Sequence, residues 1–141
     1  YLGLFHFTIC LILSGLIWVI QIVHYPSFKY ISIKNFDLFC EFHVRSISFI
    51  VFPLMFLELI TAVLLLIFSP SSLTIINIII LGLIWLSTIL LSVPIHRKLQ
   101  SGYNIDSINK LIKTNWPRTI FWTFRSALLF SLILNYKDLL P

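Results

Sequence analysis

Between Arg45 and Arg97 the chain carries one charged side chain, Glu58, and ahead of Lys29 it carries none. A soluble domain cannot withhold charge over such lengths, because its surface must be wetted. A chain whose outside faces lipid can, provided each segment satisfies its own backbone polar groups, and a helix does this without a partner strand. The remaining composition agrees: 59% of the 141 residues are hydrophobic and 11% charged, and the mean hydropathy is +1.01. A spanning helix consumes about 20 residues, so the length suits one bundle and leaves no room for a soluble domain. The expected fold class is all-α: an integral membrane four-helix bundle, forming a single four-span transmembrane domain over residues 1–141.

Four apolar runs set the spans at about 2–25, 36–68, 73–100 and 117–136. Pro26 closes the first, "SPSS" (Ser69 to Ser72) the second and Gly102 the third, while Pro117 opens the fourth as a favoured first-turn proline. At about 1.5 Å per residue the second helix would be near 50 Å long, so its first turns should project from the bilayer. Between the last two runs, "NIDSINKLIKT" places Ile105, Ile108, Leu111 and Ile112 at helical spacing with lysines opposite. That pattern predicts a short interfacial amphipathic helix over about 105–114.

The net charge of +5 lies in two short segments. Lys29, Lys34 and Arg45 flank the first connection, and Arg97, Lys98, Lys110, Lys113 and Arg118 the third; the "SPSS" turn has no cation. Cations so placed are orientation signals, so both segments are expected on the cytoplasmic side, both termini on the outer side, and no nucleic-acid partner. The implied location is a bacterial inner membrane, with the lipid bilayer as first partner and protein partners or a homo-oligomer left open. The first run lacks a basic start and a small-residue cleavage site, so it is expected to stay as a span. Cys10 and Cys40 should fall on opposite sides of the first hairpin and remain unbridged.

The few polar residues within the spans can be read by helical phase. Ser14, Trp18, Gln21 and Tyr25, with His24 alongside, form one stripe; Asn77, Trp85, Thr88, Ser92 and His96 a second; Arg118, Trp122 and Arg125 a third. Lipid offers such groups no partner, so the stripes should face one another. Ser14, Ser48, Thr61 and Thr88 read as interhelical packing positions. The ionisable residues ask for more. Glu58 lies roughly 15 Å from one end of its span and Arg125 roughly 13 Å from the opposite end of its own, both near the midplane, and pairing would spare two isolated charges. Pro53, one turn away from Glu58, should open the bundle beside them.

His24, His43 and His96 fall near the cytoplasmic boundary and make up the donor set of a metal site, should one exist, although no two stand at a close ligand spacing. A haem is not expected, because only His6 lies well inside a span and it reads as an interfacial residue near the outer face. No phosphate loop, nucleophile elbow or paired-cysteine motif is present. Trp18, Trp85 and Trp122 differ from the interfacial aromatics in lying on the polar stripes, as the walls of a pocket for a lipophilic ligand would.

The segments "WVIQIVHYPSF" (Trp18 to Phe28), "FHVRSISFIVFPLMFLE" (Phe42 to Glu58), "WLSTILLSVPIHRKLQSG" (Trp85 to Gly102) and "NWPRTIFWTFR" (Asn115 to Arg125) carry a resemblance. Together they resemble a family of small four-helix bacterial integral membrane proteins of uncharacterised function. A narrower likeness, in "NWPRT" and in overall size, is to anthrone-oxygenase-like membrane proteins, which implies lipophilic redox chemistry without an obvious cofactor.

The leading expectation is a pocket in the cytoplasmic half that binds a lipophilic small molecule and would suit oxidoreductase chemistry. Its ligand-binding set is Trp18, Gln21, Tyr25, Glu58, Trp85, Thr88, Asn115, Arg118, Trp122 and Arg125, and His24, His43 and His96 are its candidate catalytic proton carriers. Two readings from other classes stay open. One is a non-catalytic membrane subunit whose polar residues lock helices together; the other is a small proton or solute carrier.

Overall fold

In a computed structural model, described over residues 1–137, four helices form one up-and-down bundle. They are α1 (Leu2–Tyr30), α2 (Ile33–Phe68), α3 (Ser72–Gln100) and α4 (Ile105–Lys137). The first three are long and apolar enough to cross a membrane. The fourth carries Arg118 and Arg125 and lies outside that group. Its polar face is turned inward, so α4 packs along α1 and α3 and forms the spine of the core. The outside is apolar: Phe49 is 83% exposed, and Phe52, Ile67 and Val23 are each exposed by more than half. So large an exposed apolar surface marks contact with a membrane or with other protein.

Two element boundaries differ from the sequence reading. The first helix does not stop at Pro26 but continues to Tyr30. It absorbs the proline with a π-turn, Ile20–His24, in which the N–H of Tyr25 reaches back five residues to the carbonyl of Ile20. The same device recurs in α3. There the π-turn Thr88–Ser92 lets Val93 donate to the carbonyl of Thr88, and Pro94 follows. The second difference is that the separate interfacial helix and last span are one helix, Ile105–Lys137, running through Pro117. Ile108 and Leu111 are wholly buried against the ends of α1 and α3, and this burial outweighs the backbone bond that Pro117 removes.

One end of the bundle, the turn end, holds the Ser69–Ser71 connection. There Ser71 accepts from the backbone N–H of Thr74 while Thr74 Oγ1 accepts from the N–H of Ser71, a capping box that starts α3. The other, basic end holds both remaining connections and most of the cations. The first turns of α2 do not project alone: Phe36 is buried, edge-on against Phe28 and Tyr103, so all four helices extend together. Both cysteines are free and buried.

Candidate functional site

The polar residues of the spans collect into two clusters, separated by Trp122. In the turn-end cluster, Glu58 and Arg125 are fully buried and their Oε1 and Nη1 atoms lie 2.7 Å apart. Arg125 Nε donates to Asn77 Oδ1 at 3.0 Å and Nη2 points at His6 Nε2 at 3.5 Å. Thr61 Oγ1 donates to the Leu57 carbonyl, so it accepts from His6 Nδ1–H at 2.8 Å, leaving Nε2 to accept from Asn77 Nδ2 at 3.2 Å. The indole Nε1–H of Trp122 donates to the Glu58 carboxylate at 3.2 Å. Every charged or ring atom in this cluster has a partner. His6 is completely buried, where it completes the donor balance around Arg125.

The basic-end cluster is built differently. Gln21 follows the start of the α1 π-turn and donates to the Ile112 carbonyl at 3.2 Å. Asn115 Nδ2 donates to Gln21 Oε1 at 2.8 Å, and Asn115 Oδ1 accepts from Arg118 Nη1 at 3.1 Å. The same Nη1 donates to Ser92 Oγ at 2.9 Å, on the α3 π-turn. The guanidinium lies over the ring of Trp122, 5.4 Å from its centroid. Arg118 is buried, yet its Nε has no partner, and no carboxylate of the described residues pairs with it.

Beside this chain a cavity of about 310 Å³ reaches from the core to the surface of the bundle. Its wall on α2 includes Ser48, Phe52 and Met55, its wall on α3 includes Thr88, Ser92, His96 and Arg97, and Tyr25, Arg118 and Trp122 close it from behind. Helices α2 and α3 pack against each other beside the turn and again toward the basic end, and barely touch across the Thr88–Ser92 π-turn. Ser48, Phe52 and Arg97 are exposed there, so the cavity opens sideways through a window between the two helices. Pro53, in the α2 stretch that forms this wall, cannot donate to the preceding turn, and the α3 π-turn widens that helix opposite it.

The residues singled out from sequence thus divide. Tyr25, Thr88, His96, Arg118 and Trp122 line the cavity; Gln21 and Asn115 brace Arg118 from behind; Glu58 and Arg125 belong to the other cluster. Trp85 packs against the core, and its Nε1 has no partner. Trp18 is 40% exposed on the outer surface, donating to Thr123 Oγ1 and edge-on to Trp116. The three histidines do come together. His24 Nε2 and His43 Nδ1 are hydrogen-bonded at 2.6 Å, the His43 and His96 rings are 5.3 Å apart, and His96 Nε2 is bonded to the Tyr25 hydroxyl at 3.1 Å. His43 Nε2 is buried without a partner, and no three His, Cys, Asp or Glu side chains among the described residues converge as metal ligands. Arg97 and Met55 are the site residues that the polar stripes did not single out, and Ser92 lies on a stripe but outside the expected ligand-binding set. No family model, curated protein or solved structure matches the chain.

Proposed function

We propose that this is an integral membrane protein that takes a lipophilic small molecule from the bilayer into the cavity between α2 and α3. The observation that carries the reading is the sideways window: a cavity of about 310 Å³, mostly apolar, opens on the face that the chain turns toward lipid. This size suits one small molecule. His96 and Tyr25 are the cavity-lining groups able to exchange a proton with whatever is bound, and His24 and His43 lie behind them. Helix locking accounts for the turn-end cluster, whose groups are all paired, and leaves Arg118 Nε of the basic-end cluster unexplained.

The orientation rests on the cations at the basic end, which the positive-inside rule puts in the cytoplasm, in a bacterial inner membrane, with the cavity in that leaflet. A cysteine placed at Ser71 should then react with an impermeant maleimide from outside; reaction only after permeabilisation reverses the orientation. For the cavity, Trp122 serves as reporter in a protein whose Trp18, Trp85 and Trp116 are replaced by Phe. Dibromostearyl alcohol in nanodiscs should quench Trp122 saturably at low mole fraction, and Ser48→Phe, which fills the window, should abolish the saturable part. Quenching that rises only in proportion to the bilayer content of bromine, in both proteins, would sink the reading.

A further inference from the structure

Resting on that cavity, we infer that its occupant is an anionic amphiphile whose carboxylate or phosphate head binds the free edge of Arg118. A guanidinium offers donors along two edges, and the two edges of Arg118 are in different states. Nη1 is committed, to Ser92 Oγ at 2.9 Å and Asn115 Oδ1 at 3.1 Å. Nε has no partner, and the Tyr25 hydroxyl, itself bonded to His96 Nε2, is a further polar neighbour of the guanidinium. Nε and Nη2 form the side-on fork, two parallel N–H groups whose spacing matches the oxygens of a carboxylate or a phosphate.

The charge balance points the same way. Of the five acidic residues, Glu58 is held by Arg125 and Trp122, while Asp37, Glu41 and Asp106 are exposed at the basic end; Asp138 lies outside the described residues. Arg118 therefore stands 6% exposed with no described counter-charge, and a guanidinium does not shed its proton to escape. The protein nevertheless holds it firmly, through Ser92, through the Gln21–Asn115 bridge and over the Trp122 face. A cation fixed in position with Nε unspent and no described counter-charge is a receptor for an anion. The polar wall, Arg97 and Gln100, lies toward the basic end, and the apolar wall, Leu13, Met55 and Trp122, toward the core. A single-chain amphiphile would therefore sit head toward the basic end and tail toward the bilayer midplane, the orientation it already has in that leaflet.

The test compares dibromostearate, the corresponding dibromostearyl phosphate and the neutral alcohol by saturable quenching of Trp122 in nanodiscs. The anions should bind at least about tenfold more tightly than the alcohol, as charge-assisted hydrogen bonds imply. Carboxylate above phosphate identifies a fatty-acid-like ligand; phosphate above carboxylate identifies a lipid headgroup. Arg118→Gln should erase the preference for anions while leaving alcohol binding in place, which also shows that the variant is folded, and Arg118→Lys should keep only part of it because the fork is lost. Equal binding of all three probes to the wild-type chain overturns the anion site while leaving the cavity standing. Saturable binding of none overturns both, and an unchanged preference in Arg118→Gln removes the arginine from the site.

Discussion

Arg118 and Arg125 are two turns apart on α4, both buried, and both reach Trp122 or its carboxylate partner, yet their surroundings answer opposite questions. Around Arg125, each of the three guanidinium nitrogens meets a neighbour: Glu58, Asn77 and His6. Around Arg118, Nη1 is bound twice, the Tyr25 hydroxyl lies beside the guanidinium, and Nε has no partner. A closed network fixes helix positions and leaves nothing over. An open one leaves binding capacity, and it is the open one that borders the cavity. The difference teaches that a charged residue in an apolar helix is not a functional signal in itself; what matters is the number of donors left after the fold has taken its share.

The sharpest way to break this comparison is to unbalance the closed cluster. Glu58→Gln and Arg125→Gln should each lower stability by about 3–5 kcal/mol, because each strands a buried charge. The double variant should lose less than the sum, measured by unfolding midpoints in mixed detergent micelles. Additive losses would mean that the two residues act separately and that the cluster is not closed. Trp122→Phe comes next. It removes the indole donor to Glu58 and weakens the cation–π contact with Arg118, at a cost of about 1–3 kcal/mol. This substitution should both lower the unfolding midpoint and weaken ligand binding, the latter followed by equilibrium binding of radiolabelled stearate because the fluorescent reporter is gone. A variant that moves one readout without the other would show that Trp122 does not couple the two clusters.

Helical phase made much of this legible from sequence. Ser14 and Gln21, seven residues apart, do face inward, and Ser92, Arg118, Trp122 and Arg125 do meet across the bundle. Trp18 does not join them: at 3.6 residues per turn it is rotated about 60° from Gln21, which is enough to carry an amphipathic indole to the outer surface. Pro26 reads as a stop in the first run, and the third run passes Pro94 with no mark of a π-turn; only neighbouring helices reveal that each chain segment has spent an extra residue to continue. The burial of His6 is hidden for a related reason. Its position near a helix end suggests an interface, whereas its partners Thr61, Asn77 and Arg125 lie on three other helices, and their register is a property of the assembled bundle. The unspent Nε of Arg118 was illegible for the same cause: a sequence shows that an arginine is present, and only the packed structure shows how many of its donors remain.

The smallest expected change is the most discriminating. Arg118→Gln removes two hydrogen bonds from Nη1, to Ser92 and Asn115, and in the same step removes a buried charge that no described carboxylate balances. The first loss destabilises and the second relief stabilises, so the unfolding midpoint should shift by less than about 1 kcal/mol, with Gln retaining an amide that can still reach one of the two partners. Arg125→Gln, the same substitution two turns along the same helix, should cost several times more, since it strands Glu58 and leaves Asn77 without its donor. Equal losses for the two variants would place Arg118 among the structural charges, with its fork satisfied by something that the bundle itself supplies. A ligand-free protein in which Arg118→Gln is the more stable variant, and an anion-loaded one in which wild type is, would put the compensating charge on the ligand.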